Sequence, residues 1–181
     1  NFVARALFVT KRSRPDIHIA ISFLTSRVRN PDEDDWKKLQ RMIRYLRGTP
    51  DLVLTLSGDE ANVIKHIRWW VDASHATRED MRGQTGATCS LSKGALMSTA
   101  TKMKINTRSS TETELVAVDE VLSQILWTNY FLDAQGYGGT GTIIYQDNQS
   151  AMLLESNGRA SSSRRTKHVN IRYYFIKERI D

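Results

Sequence analysis

The sequence predicts an α/β protein: a mixed β-sheet with helices packed on it, preceded by a helical hairpin. Three observations predict this. The first third keeps apolar residues at three- and four-residue spacing. The middle alternates with period two between turn residues. A long helical stripe then stands between strand-like segments, so the strand after it returns to the sheet by a crossover.

The elements follow in order. Arg14-Pro15-Asp16 offers a proline for a first helical turn. Ile17, Ile19, Ala20, Ile21, Phe23, Leu24 and Val28 keep an apolar face until Asn30-Pro31 stops it. Asp32 or a neighbour caps a second helix, with Trp36, Leu39, Met42, Ile43 and Leu46 on one side and Gly48-Thr49-Pro50 at its end. No reactive cluster lies on this hairpin. Leu52, Leu54 and Leu56 alternate but are too few to count as a strand. Val63 to Val71 reads as the first strand, ending at Asp72. Gly86 to Leu91 and Ala95 to Ala100 form a hairpin across Ser92-Lys93-Gly94. Thr111 to Ala134 is a long helix capped by Ser110 or Thr111, its stripe being Leu115, Val118, Leu122, Ile125, Leu126, Tyr130 and Phe131. Thr142 to Tyr145 is a short strand running into Asp147. Asn148 to Glu155 and Val169 to Arg179 read as helices, separated by the basic loop around Ser161 to Arg165.

Composition narrows the class. A chain of 181 residues, 40% hydrophobic, can bury a core, and no stretch approaches a membrane span of about 18 apolar residues. Arg5 interrupts the short apolar run at the start and the basic cluster follows it, the reverse of a secretory leader. A single cysteine, Cys89, excludes an internal disulfide framework and a multi-cysteine zinc site, and it fits a reducing compartment. The net charge of +6 favours a polyanionic partner. Basic residues recur along the chain with aromatics between them, a pattern compatible with contact to a nucleic-acid backbone, although most of those aromatics suit a core.

Three acids stand where chemistry is usually placed. Asp72 and Asp147 each end a strand. If those strands are parallel neighbours, their carboxylates emerge side by side at the C-terminal edge of the sheet. Glu114 lies in the first turn of the long helix and can lean over the same edge. Crowded carboxylates repel, and a proton or a cation must relieve that. Hard oxygen donors suit Mg²⁺ or Mn²⁺, and two such ions about 3.5–4 Å apart assist phosphodiester hydrolysis. Singly, each acid reads as readily as a cap, a turn residue or a partner for the helix dipole.

The wording around the acids adds to this. S-S-T-E-T-E-L-V-A-V (109–118), I-I-Y-Q-D-N-Q-S-A (143–151) and R-T-K-H-V-N-I-R-Y-Y-F-I-K-E (165–178) resemble the ribonuclease H domain of copia-type LTR retrotransposon polyproteins. R-P-D-I-H-I-A-I-S-F-L-T-S (14–26) and W-K-K-L-Q-R-M-I-R-Y-L-R-G-T (36–49) resemble the tail of the reverse transcriptase and its connection. The resemblance covers nearly the whole chain, in the family's order. It implies a reverse-transcriptase tail over 1–51 and a ribonuclease H-like domain over 52–181. It implies cleavage of the RNA strand of an RNA–DNA hybrid, with Asp72, Glu114 and Asp147 as catalytic residues and ligands of two Mg²⁺ or Mn²⁺ ions. The implied partners are the hybrid and the polymerase portion of the same polyprotein, with no membrane, in an intracellular, cytoplasmic, virus-like-particle setting. Glu112 becomes a solvent-facing or capping residue. Ser110, Asn148, Gln149, Arg165, Lys167 and His168 are candidates for substrate contact; Asn148 and Gln149 read more readily as caps, and His168 equally as a helix-entry residue.

The chain departs from the family in three places. Where many relatives read K-H-I-D it has Lys167-His168-Val169-Asn170, and Asn170 is not expected to be a ligand. Relatives carry a further strand and a helix with an Ala-Asp pair, so the last strand and helix of the fold and a fourth carboxylate are expected to be missing here. His75, in D-A-S-H-A-T-R-E-D (72–80), replaces the usual D-W-A-G continuation and reads as a loop residue without a role. The rival function is a non-catalytic connection or nucleic-acid-binding module of a retroelement polyprotein.

Overall fold

A computed structural model of the chain describes residues 2–57, 64, 66–77, 80–157 and 176. Among these the chain runs through helices α1 (Phe2–Thr10), α2 (His18–Arg27) and α3 (Glu33–Gly48), then strands β1 (His66–Ser74), β2 (Gln84–Ser90) and β3 (Met97–Lys102). Helix α4 (Ser110–Ala134), strand β4 (Gly141–Tyr145) and helix α5 (Gln149–Asn157) follow. The predicted last helix falls outside the described residues, apart from Ile176.

The helical part contains the expected pair, α2 and α3, and one helix more. Val3, Ala6 and Leu7 recur at helical spacing on α1 and pack with Ile17, Ile21, Leu24 and Met42, so the first apolar run becomes a helix because α2 covers it. Asp32 and Asp35 close a capping box at the start of α3: the Asp32 side chain accepts from the Asp35 N–H at 2.7 Å, and the Asp35 side chain from the Asp32 N–H at 3.1 Å. Arg14 ties the 3-10 turn Pro15–Ile17 to the end of α3, donating to Asp16 Oδ2 at 2.8 Å and to the Thr49 carbonyl at 2.9 Å. Helix α2 also docks on the sheet. Ser22 donates its hydroxyl to the Ala100 carbonyl at 2.7 Å, and His18 Nδ1 meets Ser98 Oγ at 3.0 Å.

The sheet order is β3-β2-β1-β4, with β1 antiparallel to β2, β2 antiparallel to β3, and β1 parallel to β4. This mixed sheet with flanking helices is the predicted fold class and is compatible with a ribonuclease H-like fold. The strand bounds differ from the prediction. The β1–β2 ladder continues past Val71 through Asp72↔Gly86 to Ser74↔Gln84, so Asp72 lies within β1 and not at its end. Leu52, Leu54 and Leu56 form no strand; a single bridge, Ser57 with Lys93, marks that segment.

One face of β1, with Ile67, Trp69 and Val71, packs under α4 against Val118, Val121, Leu122 and Ile125, with Cys89 and Ile176 in the same cluster. Burial pushes the Cys89 thiol up to about 12, so it is an inert core residue. The α4 stripe departs from the predicted one at its end: Tyr130 and Phe131 are 62% and 48% exposed, while Leu132 is buried. The face that meets the core runs Ile125, Thr128, Leu132, at steps of three and four, and Phe131 stacks instead on Trp127.

Candidate metal centre

Parallel pairing of β1 with β4 decides where two of the acids stand. Trp70 pairs with Tyr145 in the last rung of that ladder, and the two rings stack with centroids 5.2 Å apart. Asp72 and Asp147 each lie two residues further on, so both clear the end of the β1–β4 ladder on the same side. Asp72 Oδ1 accepts from the Ala73 N–H at 2.8 Å.

Glu114 comes from α4, and the start of that helix is held tightly. Ser109, not Ser110 or Thr111, is the N-cap: it has extended backbone, and its hydroxyl accepts from the Glu112 N–H at 3.2 Å. Glu112 Oε2 accepts from the Arg108 N–H at 2.7 Å, so Glu112 is a capping residue. Thr113 donates to the Ser109 carbonyl at 2.8 Å and meets the Thr107 hydroxyl at 2.7 Å. His75 Nδ1 meets Thr113 Oγ1 at 2.8 Å, so this histidine braces the helix start and is not a loop residue without a role. Gly83 permits the close approach: a Cβ there would stand 2.6 Å from the Ser74 carbonyl oxygen and 3.2 Å from the Thr113 methyl.

These elements bring one carboxylate oxygen from each of Asp72, Glu114 and Asp147 within 4.8 Å of one another. Asp72 and Asp147 are exposed, whereas Glu114 is 6% exposed. Burial, and then the charges of Asp72 and Asp147, push the Glu114 carboxyl up to about 7. The Gln146 side chain and the Ala73 backbone favour its charged form and offset part of this rise, while its Oε2 is buried with no hydrogen bond among the described residues.

A fourth acid, which sequence reasoning missed, stands behind it. Glu155 on α5 is 8% exposed, and burial, then the Glu114 charge, push it up to about 7 as well. Its Oε1 is also buried with no hydrogen bond among the described residues. The signal in the sequence was an acid on the apolar face of a short helix, since Glu155 follows Ala151 by four residues and Leu154 by one.

Among the candidates for substrate contact, Ser110 is exposed in the first turn of α4 and Gln149 is exposed in the first turn of α5. Asn148 caps α5, its Oδ1 accepting from the Ala151 N–H at 3.0 Å. Arg165, Lys167 and His168, with Asn170, lie outside the described residues. Among the described residues, no helix is long and apolar enough to cross a membrane.

Comparison with known proteins places this centre in a context. No family model matches the chain. Over 180 residues, 99% of its length, the chain is 30% identical to the retrovirus-related Pol polyprotein from transposon TNT 1-94 of Nicotiana tabacum. Over 170 residues it is 31% identical to the corresponding polyprotein from transposon RE2 of Arabidopsis thaliana. A shorter match, 27% over 126 residues, is to the secreted RxLR effector protein 161 of Plasmopara viticola and covers 87% of that protein. The chain spans 13% and 11% of the two polyproteins. Along nearly its whole length, then, this chain is similar to one stretch of the Pol polyproteins of plant transposons.

Proposed function

We propose that this chain carries a metal-dependent endonuclease that hydrolyses the RNA strand of RNA–DNA hybrids, as part of a retroelement polyprotein. The observation that carries the reading is the convergence of Asp72, Glu114 and Asp147 within 4.8 Å, with no cationic side chain paired to any of them among the described residues. The similarity to Pol polyproteins supports the setting.

The residues fit Mg²⁺ or Mn²⁺. All three offer hard carboxylate oxygens, and the buried Glu114 Oε2 makes no hydrogen bond among the described residues. Bound divalent cations supply an activated water and neutralise charge at a phosphodiester. The chain's own residues do the rest. Glu114 anchors the inner side of the centre from a helix start fixed by Ser109, Thr113 and His75. Asp72 and Asp147, exposed beyond the ladder end, face solvent where a phosphate backbone can approach. Asn148 spends its Oδ1 on the α5 cap, which leaves its amide N–H groups for an incoming phosphate or 2′-hydroxyl. Selectivity for RNA would come from that 2′-hydroxyl. Ser110, Gln149, Arg165, Lys167 and His168 complete the proposed substrate side. Residues 1–51 would be the reverse-transcriptase tail, joining this unit to the polymerase portion.

The test is cleavage of an end-labelled RNA–DNA hybrid with Mg²⁺ or Mn²⁺ by the parent and by Asp147→Asn. Cleavage by the parent, stopped by chelator and reduced roughly 100-fold or more in the variant, supports the reading. Hybrid binding without cleavage by the parent would sink it and favour a non-catalytic connection module.

A further inference from the structure

We propose that Glu155 is a positioning residue of the same centre: from α5 it sets a fourth carboxylate behind Glu114 and strengthens the binding of a divalent cation there. The proposal rests on the metal-site reading above and extends it to a residue outside the triad.

Geometry puts Glu155 in this place. Helix α5 begins at the Asn148 cap, directly after Asp147. Ala151 and Leu154 pack on Leu115, the residue after Glu114. Glu155 lies one helical turn beyond Ala151, on the same buried face. The face of α5 that covers Leu115 also carries Glu155, near enough to Glu114 for the two charges to interact. Glu155 is not among the three acids within 4.8 Å of one another, so it acts through Glu114 and not as a direct ligand.

Two buried carboxylate oxygens here, Glu114 Oε2 and Glu155 Oε1, make no hydrogen bond among the described residues. Buried polar atoms are ordinarily paired, and a local concentration of unpaired ones calls for a specific occupant. Carboxylates of like charge, buried side by side, are answered by a cation and its ordered water.

Titration with Mn²⁺, followed by calorimetry at one fixed pH, tests this on the full chain. For Glu155→Gln, which keeps the shape and removes the charge, the expected Kd is roughly 10-fold weaker, in the range found for residues that orient metal ligands. Asp147→Asn should lose binding outright. A folded Glu155→Gln protein with parental Mn²⁺ affinity, changed only in Tm, overturns the proposal. Should that variant not fold by circular dichroism, Glu155→Asp, which draws the charge back by one methylene, is expected to weaken Mn²⁺ a few-fold, and parental affinity in it is again disproof. A parent that does not bind Mn²⁺, or whose binding survives Asp147→Asn, brings down the metal-site reading itself, and the Glu155 role with it.

Discussion

The two buried acids of the sheet edge, Glu114 and Glu155, differ from the buried charges of the helical part in one respect: what faces them. Asp35 is 4% exposed, and its Oδ2 receives Arg27 Nε at 2.9 Å and the Asp32 N–H at 3.1 Å. Arg14 is similarly buried and donates to Asp16 and to Thr49. Asp16 in turn is held below the usual carboxylate range by its hydrogen bond from Arg14. Glu114 and Glu155 are buried to a like degree with no cationic partner among the described residues, and both are pushed up to about 7. Burial alone therefore does not mark a functional group. A buried charge that is fully paired holds the fold together, whereas a buried charge left unpaired weakens the fold and suits a ligand.

Removing a charge should accordingly have opposite effects in the two regions. The largest expected effect is on chemistry: Glu114→Gln should reduce cation-dependent cleavage of the hybrid roughly 100-fold or more while leaving the protein folded, read by gel assay beside circular dichroism. The same variant in chelator should raise Tm, because it deletes an unpaired buried charge; a lowered Tm would mean that Glu114 is a structural acid after all. Next comes Arg27→Met, which removes the cationic partner of the buried Asp35 carboxylate. It should cost about 2 kcal/mol, or a Tm lower by roughly 4–8 °C, by thermal melts.

A pH series sharpens the comparison further. Glu114 and Glu155 have folded values near 7, above the usual 4.5 of a glutamate, so between these limits the folded chain binds more protons than the unfolded one. Stability from these two groups is then full below about 4.5 and is lost as the pH rises through about 7. In chelator, Tm should fall by a few degrees over that window, and Glu155→Gln should flatten the fall. A stability curve that rises through the window would contradict the unpaired state of these acids. The smallest expected effect is Thr113→Val, which removes the hydroxyl joining Ser109, Thr107 and His75. About 1 kcal/mol of stability should go, with a modest loss of cleavage as Glu114 loosens.

Much of this was legible in the chain. The period-two and period-3.6 patterns gave the sheet and α4 close to their true bounds, the motifs around 109–118 and 143–151 singled out Glu114 and Asp147, and Asp72 followed from its place after the first predicted strand. The misses have local causes. Helix α1 was overlooked because its short apolar run acquires meaning when α2 covers Val3, Ala6 and Leu7. The Tyr130 and Phe131 assignment failed because Leu132 takes the buried place four residues after Thr128, while Phe131 stacks on Trp127. The cap fell on Ser109 because backbone conformation, not residue type, chooses among three adjacent hydroxyl residues. His75 looked idle because its partners, Thr107 and Thr113, are 32 and 38 residues away.

By itself, then, the sequence determined the α/β class, the order of its elements and the identity of the three clustered acids, because periodicity and motif spacing are local properties of a chain. The tertiary structure alone decided that β1 and β4 are parallel neighbours, that Asp72 and Asp147 clear the same end of that ladder, and that Glu155 comes near enough to Glu114 for their charges to interact. Those are facts of register and packing between segments far apart in sequence. The same holds for which buried charges are paired: the partners of Arg14 and Asp35, and the lack of a cationic one at Glu114 among the described residues, depend on what the fold brings opposite each of them.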